Sequence, residues 1–178
     1  IPHLTKKDLY ETSGHWDKFA DELFRVNTRE GHEFAIKPMN CPESTIAYSF
    51  KTRSYKDLPI RFSEFGRLHR NERSGTLNGM FRVRQMVMDD AHVFCIPGQI
   101  QAEITEMLDI TLDLYKKLNL PITFGLATRP EKAMGDKKVY EQAEEQLVQA
   151  LKAHKIDFQT LKGEGTFYGP KIHIDFKD

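Results

Sequence analysis

Hydrophobic and polar positions change rhythm several times along the chain, and each change predicts an element. Residues 5 to 24 read as helical, with Leu9, Trp16, Phe19, Ala20 and Leu23 available for a buried stripe and Ser13-Gly14 splitting the run into two short helices. Phe24 to Val26 and His32 to Pro38 read as strands around the turn NTREG. Proline suits a first helical turn, so Asn40 or Cys41 opens a helix that runs to about Phe50. Strands are predicted from Ile60 to Arg70 and from Met80 to Cys95, joined by the polar connection NERSGTLNG. After Pro97-Gly98, the residues Ile100, Ile104, Met107, Leu108, Thr111, Leu114 and Leu118 form an amphipathic stripe that stops at Asn119 and Pro121. Ile122 to Ala127 is a short strand. Lys137 to His154 is a helix with Val139, Ala143, Leu147, Ala150 and Leu151 inward, and Ile156 to Leu161 and Lys171 to Phe176 are strands. Hairpins and helices without regular βαβ alternation predict one α+β domain over residues 1–178, mainly antiparallel sheet flanked by helices. A doubly wound sheet does not fit, and no GxxxxGK[ST] phosphate loop is present.

The predicted hairpin carries the chemistry. In its second strand one face holds Phe81, Val83, Gln85, Val87, Asp89 and Val93, a mostly apolar set. The other holds Arg82, Arg84, Met86, Met88, Asp90 and His92, an ordered row of cations, thioethers, a carboxylate and an imidazole. From Lys51 to Arg84 nine Lys or Arg residues face three carboxylates, in a chain whose formal net charge is zero. That concentration, rich in arginine, suits oriented contacts to phosphate. A solvated basic hairpin is the alternative, and the ordering of the row argues against it.

Cys41 falls at a predicted helix N-terminus, which favours a thiolate able to bind metal, although a lone cysteine is more often a small buried thiol. Gly163 to Pro170 holds three glycines in a loop that can approach a ligand closely. Trp16 reads as a core anchor. With 39% hydrophobic and 29% charged residues the composition fits a soluble globular domain. No apolar run nears the ~20 residues of a membrane helix, and the first residues carry no signal-peptide pattern. Two cysteines imply no disulfide framework, so a reducing cytoplasmic setting is the default. Ile1 without a methionine, and an end just after a strand-like run, suggest a piece of a longer protein.

Several runs in order resemble a known family. FGRLHRNE (Phe65 to Glu72), SGTLNGMFRVR and DDAHVFC resemble motif 2 of the class II aminoacyl-tRNA synthetases, specifically the threonyl-tRNA synthetase family. SGHWDKF, KPMNCPES, RSYKDLP and GEGTFYGPKI extend the resemblance over nearly the whole chain. It implies the class II catalytic fold, from the end of motif 1 through motif 2. Motif 3, the anticodon-binding domain and any editing domain would then lie outside these residues.

The implied reaction activates L-threonine with ATP to threonyl-adenylate and passes it to tRNA(Thr) in protein synthesis. By this resemblance Arg70 and Arg82 are the catalytic pair, on the α-phosphate with the threonine carboxylate and on the γ-phosphate. Glu72 and Met86 contact the adenine. Asp90, Tyr168 and Lys171 border the threonine pocket. Cys41 and His92 match two of three zinc ligands, the third being a histidine farther on, and Cys95 is structural. Zn2+, Mg2+ and a homodimer are implied for the complete protein. The family commonly has Phe-Thr-Gln-Asp-Asp where this chain has Met86-Val87-Met88-Asp89-Asp90, which removes a polar group from the substrate pocket. The competing readings are a non-catalytic paralogue or fragment that binds only ATP or a partner, and a class II synthetase for serine or proline.

Overall fold

The structure is a computed structural model and describes residues 1–176; Lys177 and Asp178, the end of the predicted domain, lie outside the described residues. The described residues gather into two compact units, Ile1–Phe94 and a second from Cys95 onward. Among them no helix is long and apolar enough to cross a membrane.

The first unit opens with β1 (Leu4–Lys6), too short for its pattern to be told from the helix that follows. α1 (Lys7–Thr12) and α2 (His15–Lys18) are separated at Gly14, whose φ of 76° is a left-handed conformation open to glycine. β2 (Arg25–Asn27) and β3 (Glu33–Ile36) complete a three-stranded antiparallel sheet in the order β1-β3-β2. Tyr10, Trp16, Leu23 and Ala35 form its core. Trp16 is buried with the Arg25 guanidinium 4.3 Å over its ring.

α3 (Cys41–Ser49) starts where Pro42 predicts a first turn. β4 (Ile60–His69) and β5 (Gln85–Phe94) form an antiparallel pair with Ile60 opposite Phe94 and His69 opposite Gln85. The second strand is shorter than the sequence predicts. Asn78 and Arg82 exchange backbone hydrogen bonds around Gly79, at φ 47°, so residues 78–82 turn instead of extending. The side chains of Arg82 and Arg84 bond to Glu72 and Ser74 of the loop, so the row holds only from Met86 to His92. The faces also differ in burial. Leu68 and Gly66, opposite Met86 and Met88, are buried, whereas Phe65 and Val87 on the apolar face are 77% and 61% exposed.

In the second unit α4 (Ile100–Lys117) and α5 (Lys137–Ala153) pack with β6 (Ile122–Ala127), β7 (Phe158–Leu161) and β8 (Lys171–Phe176). The sheet order is β7-β6-β8. β8 is antiparallel to β6, but β7 is parallel to it, reached through the α5 crossover. The core is Leu108, Phe124, Ala150 and Leu151, with Ile104, Leu112, Ile172 and Ile174 against it. The predicted α4 stripe divides: Met107, Leu114 and Leu118 stay 39%, 50% and 56% exposed, since one sheet face buries only part of so wide a stripe. On α5, Val139 is exposed and Tyr140 takes the buried place, its hydroxyl donating to the Thr166 carbonyl at 3.0 Å. Asp136 caps α5, accepting from the amides of Lys138 (2.6 Å) and Val139 (3.4 Å).

Candidate functional site

The polar face of the β4–β5 pair is where the predicted residues converge. Glu64 stands opposite Asp90, Phe62 opposite His92 and Leu68 opposite Met86. Since directly opposed residues share a face, Met86, Asp90 and His92 line one row with Glu64 and Gly66. α3 is fixed against the far end of the pair. Tyr48 stacks on Phe94 with ring centroids 4.2 Å apart, and Arg53 donates to the Tyr48 carbonyl at 3.0 Å. Ser44 and His92 consequently line the same open pocket, with Phe62 and Glu64.

Cys41, half-buried in the first turn of α3, feels the charges of Asp90, Glu43 and Arg70. Burial pushes its thiol pKa up, Asp90 adds to the rise, and Arg70 opposes it. That reverses the expectation of a thiol made acidic by a helix N-terminus: desolvation and a neighbouring carboxylate outweigh the helix end. Cys41 and His92 suit zinc in kind. They fall short in number, and among the described residues no group of three or more His, Cys, Asp or Glu converges as a metal site. Cys95 is a second free thiol, half-buried, its pKa raised by burial and by Glu103.

Arg70 and the loop after it are organised from within. The Arg70 amide donates to Arg84 O at 2.9 Å, continuing the β4–β5 ladder by one bond, and its Nε lies 3.3 Å from Pro38 O. Glu72 is the hub. Its buried carboxylate accepts from Arg82 Nε at 2.9 Å, and its carbonyl accepts from Arg84 Nε at 3.0 Å. Arg84 also reaches Ser74 Oγ at 3.0 Å. Arg82 remains half exposed, so the ion pair leaves its guanidinium reachable.

The first unit also buries polar residues that the pattern of the sequence did not single out, two of them bonded to the row. Lys37 is fully buried and donates from Nζ to Glu64 Oε1 at 2.9 Å. Asn40, also fully buried, donates from Nδ2 to Asp90 Oδ2 at 3.0 Å. Glu43 accepts from Thr5 Oγ1 at 2.8 Å and Tyr10 OH at 2.9 Å. One signal was available: Gly66 inside a predicted strand marks a place where something approaches the backbone closely.

Tyr168 and Lys171 belong to the second unit. Tyr168 is 58% exposed on the loop from Gly163 to Pro170, edge-on to Phe167, and Lys171 is exposed at the start of β8. The loop is anchored at Gly165, whose amide donates to Thr128 O at 2.7 Å; a Cβ there would fall 2.3 Å from the Tyr140 hydroxyl.

The strand pair with Arg70 at its open end and the charged loop after it is the stretch whose residues resemble motif 2 of the class II synthetases. Residues 24–178 match the family model for the tRNA synthetase class II core domain (G, H, P, S and T), and the chain belongs to that family. Within the class the resemblance is to the threonine enzymes. The chain is 47% identical over 178 residues to the threonine–tRNA ligase of Ruthia magnifica subsp. Calyptogena magnifica, covering 99% of this chain and 28% of that one. It is 46% identical, with the same coverage, to the threonine–tRNA ligase of Prochlorococcus marinus (strain MIT 9211). A crystal structure of the RNA binding domain of threonyl-tRNA synthetase from Cryptosporidium parvum Iowa II superposes with a TM-score of 0.95 at 40% identity, covering all of this chain and 44% of that one. The chain thus spans 28% of the length of the ligases it matches.

Proposed function

We propose that this chain is the ATP- and threonine-handling part of a threonine–tRNA ligase, which joins L-threonine to tRNA(Thr) and works as a cytoplasmic homodimer. The two units would then be parts of one catalytic domain. The observation that carries the reading is the single face bearing Met86, Asp90 and His92, with Cys41 beside it and Arg70 closing one end.

Adenylate formation needs charge neutralisation and alignment more than a protein nucleophile. Arg70, anchored through Pro38 O, holds the α-phosphate and the threonine carboxylate. Arg82, held through Nε by Glu72, extends its exposed guanidinium to the γ-phosphate. Glu72 meets the adenine and Met86 lies against its ring, a flexible thioether where the family uses phenylalanine. Asp90 takes donors of threonine, and by resemblance alone Tyr168 and Lys171 border it as well. Mg2+ is expected to accompany the nucleotide. Zn2+, held by Cys41, His92 and a donor from elsewhere in the complete protein, would supply Lewis-acid recognition of the amino and hydroxyl groups of threonine. Shape alone separates such isosteres as valine by only ~100-fold.

The test is threonine-dependent ATP–pyrophosphate exchange by the complete polypeptide. Arg70→Ala and Arg82→Ala should each abolish it with the fold intact, since each removes a contact to developing phosphate charge worth roughly 3 kcal/mol. Near-normal exchange in both variants would sink the assignment.

A further inference from the structure

We propose that Asn40 is a positioning residue for the amino-acid pocket: its carboxamide holds Asp90 by one carboxylate oxygen, does not neutralise the group, and leaves the other oxygen to accept from the substrate. This rests on the reading of Asp90 as a group that contacts threonine.

Asn40 immediately precedes α3, the place where an asparagine ordinarily caps a helix. Here it caps nothing. Its φ and ψ, −97° and −16°, are helical, and its side chain makes no bond to the amides of the first turn. Instead Nδ2 spans 50 residues of sequence to reach Asp90 Oδ2 at 3.0 Å. A carboxylate only accepts, so the amide group must face it, which fixes the orientation of the carboxamide. Asn40 Oδ1 is then left buried without a hydrogen-bond partner among the described residues. A residue present only to fill space would be apolar and would avoid that cost. The asparagine is kept for what its nitrogen does.

The fold makes room for this contact at one position. Gly66 sits next to Glu64 on the same face, and a Cβ on it would fall 2.3 Å from both Nδ2 and Oδ1 of Asn40. The carboxamide occupies the space that any other side chain would take. The charges beneath are arranged to the same end. Glu64 and Asp90 are directly opposed carboxylates, which repel. Lys37 neutralises Glu64 from below. Asp90 receives a neutral donor instead of a cation. A lysine or arginine at position 40 would hold the carboxylate equally well but would neutralise the charge that makes Asp90 a strong acceptor for the donors of threonine. Among the described residues no other group is hydrogen-bonded to the Asp90 carboxylate.

The experiment uses the complete polypeptide and measures ATP–pyrophosphate exchange with threonine and ATP varied separately, for Asn40→Ala, Asp90→Asn and the double variant. Asn40→Ala should raise the threonine KM by roughly tenfold or more while the ATP KM stays within about twofold. Because Asn40 acts through Asp90, the double variant should lose little beyond Asp90→Asn alone. Asn40→Asp keeps the shape, removes the donor and repeats the test if the truncated variant does not fold. Gly66→Ala, which displaces the carboxamide and leaves Asn40 and Asp90 themselves unchanged, should give the same threonine-selective rise. Full additivity in the double variant, an unchanged threonine KM in Asn40→Ala, or equal rises for threonine and ATP would each overturn the proposal. An Asp90→Asn variant with unaltered threonine KM would instead overturn the underlying assignment of the pocket.

Discussion

Glu72 connects the ends of the charged loop, and removing its charge tests the loop more directly than removing either arginine that binds it. Its carboxylate is 9% exposed and takes Arg82, while its backbone carbonyl takes Arg84. Glu72→Gln keeps the volume and the carbonyl contact but deletes the charge. Arg82, half exposed already, would then sample more rotamers at a cost in side-chain order. If Arg82 meets the γ-phosphate and Glu72 the adenine, the ATP KM should rise by roughly tenfold or more, at least the size of one charge-assisted bond, with the threonine KM little changed. Isothermal titration with ATP on the variant checks this without turnover. An unchanged affinity would mean the loop is held by its backbone bonds alone. Lys37 and Glu64 sit deeper: losing either partner of a buried pair costs roughly 3–5 kcal/mol, so variants there report on folding before they report on function.

At the scale of elements, the second unit offers two predictions that separate stability from the site. Asp136→Ala deletes a side chain bonded to two amides of the first turn of α5 and should cost about 1 kcal/mol in urea unfolding, with no effect on substrate affinity. Gly165→Ala should cost more, since its Cβ would meet the Tyr140 hydroxyl and the Thr128 carbonyl at 2.3 and 2.5 Å, one of them backbone. If Tyr168 borders the threonine, this variant should also weaken threonine binding, which Asp136→Ala should not. These two positions show what the sequence could disclose. Periodicity located α4, α5, β6 and β8, because each is long or regular enough for a local window to read. It placed Val139 inward and missed Tyr140, because the burial of Tyr140 depends on Thr166, 26 residues away. β1 was invisible at three residues, and the parallel pairing of β7 follows from the crossover and not from any residue in the strand. In the site, the motif residues were legible because their types are rare in one row. Asn40 was not, because its partner Asp90 is 50 residues on and its room is made by an absent side chain at Gly66.

At the scale of the whole molecule, the expectation is that the 178-residue chain alone does not charge tRNA. Of the three protein ligands that the resemblance implies, only Cys41 and His92 fall in this chain, and among the described residues no group of three or more His, Cys, Asp or Glu converges as a metal site. A site short of a ligand holds metal weakly and leaves the ion's open positions undefined. Burial and Asp90 both disfavour the Cys41 thiolate, so the metal must also supply the cost of deprotonation. With a net charge of zero the chain offers no long-range attraction to a polyanion the size of tRNA. What should survive is weak ATP binding through Arg70 and Arg82, declining as salt rises, because exposed charge–phosphate contacts are screened. The measurement compares this chain with the complete polypeptide under the same threonine, ATP, magnesium, zinc and tRNA, following both aminoacylation and zinc content. Cys41→Ser or His92→Ala in the complete protein should release its zinc together with its threonine affinity. Equal aminoacylation by the short chain would place every essential group inside these residues and would falsify the incomplete site described for Cys41 and His92.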